Sequence, residues 1–145
     1  MKKWIAGFAF GIITAGQGVA QDDTSKDLFI EVTPDVSLEA FAWTHRPIVV
    51  FANSPLDPRF QDQMELLQAD TEALIERDIV VLTDTNPAMS SSIRTTLRPR
   101  DFSLVLIGKD GEVKLRKPFP WDTRELGRVI DKMPMRQREI QSSKN

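Results

Sequence analysis

Within six consecutive positions, Ser54–Arg59, the sequence gathers a hydroxyl, a carboxylate and a guanidinium: Ser54, Asp57 and Arg59. A serine at the end of a strand is a candidate nucleophile when a base stands within about 3 Å of it. The single histidine, His45, lies nine positions upstream of Ser54. About five of the intervening residues are extended, at about 3.3 Å each, so the two side chains are expected more than about 16 Å apart and the pair is excluded. Thiol chemistry is excluded outright, because the chain has no cysteine to supply an attacking thiolate or a leaving sulfur.

Metal chemistry is equally poorly served. Zinc sites need clustered His and Cys ligands that this composition cannot offer. Asp57, Asp62, Asp84 and Asp101 are conceivable calcium ligands, yet no segment alternates acids around a glycine bend as a dedicated loop does. Capping and solvated surface acids account for them. Paired carboxylates for sugar hydrolysis are unspecific in so acidic a chain. No catalytic, cofactor-binding or metal-binding residue is therefore assigned. What remains is a set of cations, Arg59, Arg98 and Arg100, that would hold a carboxylate or sulfate beside the free amides of a helix start. The competing reading is that Asp57 caps those amides and Asp101 pairs with the arginines.

The elements that position these residues follow from hydropathy patterning. Ile48–Ala52 is apolar without alternation, as in a strand buried on both faces of a parallel sheet. Asp57–Pro58 opens a helix, with Asp57 as cap and Pro58 at the first helical position. That helix is expected to run to Arg77, with Phe60, Met64, Leu67, Leu74 and Ile75 as its inward stripe. A second apolar strand, Ile79–Leu82, follows, which makes a right-handed crossover with parallel strands. Ser91–Thr96 suggests one helical turn. "SLVLIGKDGEVKLR" (Ser103–Arg116) is a hairpin around Gly108–Gly111, with Val113 and Leu115 inward. Asp122 and Glu125 form a capping box for a last helix with Leu126, Val129, Ile130 and Met133 inside, ended by Pro134. The chain is expected to fray from Gln137. Leu28–Val32 and Leu38–Trp43 read as a short strand and a short helix ahead of this core. In "KPFPWD" (Lys117–Asp122), Phe119 and Trp121 serve either as core lids or as a partner's anchor, and aromatics mostly serve cores.

The order βαβ then ββα predicts an α/β, thioredoxin-like three-layer fold. Its central sheet has about four strands in the order 2-1-3-4, the third antiparallel, with helices on both faces.

Ahead of the domain, Lys2 and Lys3 precede an apolar run of 12 residues, Trp4–Ala15, too short to span a bilayer. Gly18 and Ala20 then stand at the −3 and −1 positions of a signal-peptidase site. Residues 1–20 are expected to be a signal peptide, with a retained membrane anchor as the alternative, 21–36 a leader, 37–139 the domain and 140–145 a frayed tail. The protein is then periplasmic or secreted, with no membrane attachment after cleavage. Gln21–Asn145 carries 17 basic and 21 acidic residues, net −4. The charge is unevenly spread: Asp22–Ser90 has 14 acids and 4 bases, Ser91–Asn145 has 7 acids and 13 bases. An acidic, exported chain without an aromatic-studded basic strand is not a nucleic-acid binder.

"RPIVVFA" (Arg46–Ala52), "ERD" (Glu76–Asp78), "LRPRDFSLVLIGKDGEVKLR" (Leu97–Arg116) and "IDKMPMRQRE" (Ile130–Glu139) resemble the family called domain of unknown function 4174. The resemblance spans most of Leu38–Glu139. It implies a thioredoxin-like fold in a small exported bacterial protein, with no activity to carry over. Aligned without gaps to the general thioredoxin pattern, the Cys-Gly-Pro-Cys segment falls on Leu56–Asp57–Pro58–Arg59. The proline is kept, and the cysteines become Leu56 and Arg59. The cis-proline position of that pattern falls on Asp101 or Phe102.

Two functions from different classes remain. One is a redox-inactive binding module for an extracytoplasmic protein or an anionic surface polymer. The other is an enzyme of unrecognised non-thiol chemistry in the cleft near Ser54 and Asp57.

Overall fold

A computed structural model of the chain describes residues 27–145. The expected signal peptide and the first residues of the leader, 21–26, lie outside the described residues. Five strands form one mixed sheet: β1 (Phe29–Glu31), β2 (Arg46–Phe51), β3 (Ile79–Asp84), β4 (Ser103–Ile107) and β5 (Val113–Lys117). Their order is β1-β3-β2-β4-β5. β1 and β2 run parallel to β3, while β4 is antiparallel to β2 and to β5. The expected 2-1-3-4 arrangement with an antiparallel third strand is present as β3-β2-β4-β5.

The expected count of four strands is corrected to five. β1 adds an edge because Phe29–Glu31 pairs with Val81–Thr83 while Leu28 and Val32, on either side, are buried. Residues read as leader therefore complete the sheet.

β2 is apolar from Pro47 to Phe51 because both its faces are covered. Ile48 and Val50 join Leu67, Leu74, Leu104 and Leu126 in one core cluster, against helices α1 (Pro58–Gln68) and α4 (Thr123–Asp131). Val49 and Phe51 join Val80, Leu82, Ile93 and Val105 in the other, against α3 (Ser92–Leu97) and the 3-10 turn Leu38–Phe41.

The expected helix from Pro58 to Arg77 is two helices. α1 stops at Gln68 and α2 (Thr71–Glu76) starts afresh, because the Asp70 backbone leaves the helical region and its carboxylate accepts the Ala73 N–H at 3.2 Å. The break rotates the stripe. Phe60, Met64, Leu67 and Leu74 stay on the core, whereas Ile75 is exposed. On β5, Leu115 packs inward as expected but Val113 is exposed, beside a register irregularity at Leu106/Ile107 on the sheet edge. Trp121 packs on the core and Phe119 is half-exposed, so the two aromatics of "KPFPWD" part company.

The largest correction is at the C-terminus. Pro134 does not lead into a frayed end; it opens α5 (Pro134–Ser142). This helix is anchored by charge instead of an apolar stripe. Arg46, buried at the start of β2, donates to the Arg77 carbonyl and to both carboxylate oxygens of Glu139 on α5. Lys109 donates to Glu139 and to Asp78, at 2.7 and 2.8 Å. Buried Arg136 reaches Glu76 and Asp131, and Asp131 also receives two hydrogen bonds from Arg77. Segments that carry the family resemblance, "RPIVVFA", "ERD", the "GKDG" turn and "IDKMPMRQRE", thus meet in one ion-pair network at a single end of the sheet.

Candidate functional site

The opposite end of the sheet, past the C-termini of β2 and β3, holds the Ser54–Arg59 junction. Its foundation is buried. Asp84, at the end of β3, accepts from Ser91 Oγ at 2.7 Å and from Arg94 Nη2 at 3.0 Å. Arg94 Nη2 also donates to the carbonyls of Ala52 and Asp84, each at 3.0 Å. One guanidinium thereby ties the ends of both central strands, and it lies over the Phe51 ring. Asn53 leaves this fixed point to begin the junction.

Asp57 caps α1 as expected, its Oδ1 accepting the Arg59 N–H at 2.9 Å. Arg59 folds back on the same carboxylate through Nε and Nη2, at 3.1 and 2.8 Å. Its Nη2 also meets Asp101 Oδ1 at 3.0 Å, an oxygen that further accepts from Asn53 Nδ2 at 3.2 Å. The guanidinium sits 5.7 Å from the centre of the Phe102 ring. The hydrogen bond from Arg59 holds the Asp57 carboxyl below its ordinary range, and Asp57 first, then Asp101, raise the guanidinium. Asp57 is therefore a poor proton acceptor. Ser54 Oγ accepts the Leu56 N–H at 3.1 Å and has no base beside it, since His45 stands before β2 with Nδ1 on Thr44 Oγ1. Among the described residues no titratable side chain hydrogen-bonds Ser54 Oγ.

Of the carboxylates considered for calcium, Asp57, Asp84 and Asp101 are each bound by an arginine. Among the described residues no three His, Asp or Glu side chains cluster as a metal site would require.

Arg59, Arg98 and Arg100 do line one cleft, of about 570 Å³. α3 delivers the second and third. It ends at Leu97 with Arg98 in the left-handed conformation (φ +50°), which turns the chain so that Arg98–Phe102 runs along the cleft toward β4. Arg116 of β5 completes the wall and was not foreseen; the alternation of the hairpin marks it as outward-facing but not as a neighbour of Arg98. Among the described residues Arg98, Arg100 and Arg116 form no ion pair, unlike Arg59. The charge density fits a carboxylate or sulfate held by forked N–H donors.

A family model described as "Domain of unknown function (DUF4174)" matches residues 37–139. No relative was found among curated proteins. Among solved structures, the chain is similar to the reduced 2-Cys peroxiredoxin of Plasmodium vivax (16% identity, 71% of this chain and 85% of that one, TM-score 0.55). It is likewise similar to chloroplastic thioredoxin z (19%, 70% and 90%, TM-score 0.54). A third is the reduced desulfothioredoxin of Desulfovibrio vulgaris Hildenborough (16%, 74% and 100%, TM-score 0.54). At such identities the likeness concerns the fold, which is thioredoxin-like.

Proposed function

We propose that this chain, which belongs to the family described as Domain of unknown function (DUF4174), is a non-catalytic binding module that holds anionic groups of a partner in its arginine cleft. The fold is thioredoxin-like and the chain is free of cysteine. The observation that carries the proposal is the set of arginines without acidic partners among the described residues, Arg98, Arg100 and Arg116, on the wall of a cleft beside the cysteine-free junction. Anion recognition takes the place of thiol exchange there. The working location is the periplasm or the exterior, where an extracytoplasmic protein or an anionic surface polymer would be met. Intact mass of the exported protein tests its release: cleavage between Ala20 and Gln21 supports a free protein, and a retained Met1–Trp4 segment shows a membrane anchor instead.

Binding is tested by titrating sulfated polymers, uronic-acid polymers and small carboxylates into the wild type and an Arg98→Ala, Arg100→Ala double variant. Saturable binding that survives physiological salt and is lost in the double variant supports the site. Equal weak binding by both proteins, vanishing with salt, reduces it to nonspecific charge attraction.

A further inference from the structure

The Arg59–Asp101 ion pair, 3.0 Å long, stands beside the cysteine-free junction. It forms the wall common to two depressions. One is the arginine cleft, and the other, of about 500 Å³, is bordered by Asn53, Ser54, Leu56 and Asp57. Both partners are about half-exposed, 41% for Arg59 and 54% for Asp101, so solvent screens the bridge and it opens at modest cost. Opening it would join the depressions into one groove, with Arg59, still held by Asp57, at its middle. We infer that Asp101 is an internal stand-in for a ligand carboxylate, and that the groove takes an extended acidic peptide segment whose own carboxylate displaces Asp101 from Arg59.

The inference rests on the anion-binding reading of the cleft and adds the ligand class and the displaced contact. Charge complementarity points to an acidic occupant, since carboxylate recognition by clustered arginines is worth most when forked and partly desolvated. Apolar surface points to a peptide over a uronate polymer. Leu56, 76% exposed, lines one arm, and the other arm reaches Pro118 with half-exposed Phe119 next to it. Sugar rings, by contrast, seek an open aromatic face. Phe102 in the groove is buried beneath Arg59, and the Trp121 face carries Lys117 at 4.5 Å. A chain mixing carboxylates with apolar side chains matches both features.

The test compares the purified wild type with Asp101→Asn, Arg59→Ala with Asp101→Asn, and Arg98→Ala with Arg100→Ala. The probes are a labelled synthetic peptide alternating glutamate and leucine, and an oligogalacturonate. Asp101→Asn is expected to tighten the peptide by about twofold to fivefold, the scale of an exposed ion pair that no longer competes. That gain should vanish when Arg59 is also removed. An unchanged affinity in Asp101→Asn, or the same gain without Arg59, overturns the displacement while leaving the anion cleft standing. Tighter binding of oligogalacturonate than of the peptide overturns the ligand class. Binding of both probes undiminished in the Arg98→Ala, Arg100→Ala variant, or absent for both from the wild type, removes the anion cleft itself.

Discussion

The Arg46 guanidinium, 1% exposed at the start of β2, grips the Glu139 carboxylate on the last helix through two hydrogen bonds of 3.0 and 3.2 Å across 93 positions of sequence. A cation taken out of water this completely needs its partners, since loss of one leaves a buried charge uncompensated. Glu139→Ala is therefore expected to cost about 3 kcal/mol, the lower part of the range for breaking such a pair. Urea unfolding of both proteins checks it. A loss within the scatter of ordinary surface substitutions would show that α5 is not held by this pair.

The same network sets a pH dependence. Burial pushes the Glu139 carboxyl upward, but hydrogen bonds from Arg46 and Lys109 outweigh it and leave the group below its ordinary 4.5. For Asp131 the Arg77 guanidinium is the foremost cause of a value below 3.8. Because both are lower in the folded state than in the unfolded, their stabilisation is complete above the unfolded values. It drains away as pH falls through those values and then through the folded ones. Urea midpoints should hold level from about pH 7 to about pH 5.5 and fall steadily below about pH 4.5. Glu139→Gln should flatten part of that decline, and an unaltered slope would assign it to other carboxylates.

Gly127 of α4 sits under a guanidinium. A Cβ there would lie 3.3 Å from both Cζ and Nε of Arg77. Arg77 cannot yield freely, because it is fixed to Asp131 and to the Ala73 carbonyl. Gly127→Ala is thus expected to lower the melting temperature, even though alanine favours a helix over glycine by about 1 kcal/mol. In an Arg77→Ala background the obstruction is gone, and the same substitution should become stabilising. Stabilisation in both backgrounds would mean that the guanidinium moves aside at no cost.

Absence of cysteine makes a chemical prediction. Thermal melts with and without a thiol reductant should coincide, and insulin reduction should stay at background, because no thiolate exists to start the exchange. Catalysed reduction by the pure protein would require a sulfur-free route that Leu56, Asp57 and Arg59 do not offer.

Where burial is apolar, the structure was legible in the sequence. β2, β3 and β4 announce themselves by their apolar runs Ile48–Phe51, Ile79–Leu82 and Leu104–Ile107, and α4 by its Asp122 cap and the Leu126, Ile130 spacing. Where burial is ionic, it was not. α5 has no apolar face to betray it, since its anchors Arg136 and Glu139 read as ordinary surface charges until Arg46, Glu76 and Asp131 are placed beside them. The α1–α2 break was hidden for a related reason: Asp70 is one acid among several, and its role as a cap depends on a backbone turn that periodicity does not register. At the candidate site, Arg59, Arg98 and Arg100 were within reach because the strand–helix junction and the loop before β4 must share one end of such a sheet. Arg116 was not, because a hairpin's alternation says which face a residue takes but not what lies across from it.

Asp84 and Arg94 are the last pair to test, because they decide whether the junction is held rigidly. Asp84 is fully buried in its side chain, and its oxygens take hydrogen bonds from Ser91, Arg94 and the Asn86 N–H. Arg94 in turn adds a side-chain tie between the Ala52 and Asp84 carbonyls to the 3.0 Å backbone hydrogen bond that the Ala52 N–H donates to Asp84. Asp84→Ala would leave a largely buried guanidinium facing two carbonyls, and is expected to cost about 3 kcal/mol. Replacing both, Asp84→Leu with Arg94→Met, removes the charges together and should restore most of that stability, as apolar exchange of buried ion pairs commonly does. The double variant nonetheless loses the side-chain tie and leaves the strand ends joined by the Ala52–Asp84 backbone hydrogen bond alone. Amide hydrogen exchange should then quicken at Ala52–Leu56 while the middle of β2 stays protected. Unchanged exchange at the junction in a stable double variant would show that the strand ladder alone fixes it, and that the ion pair beneath it has no part in positioning Arg59.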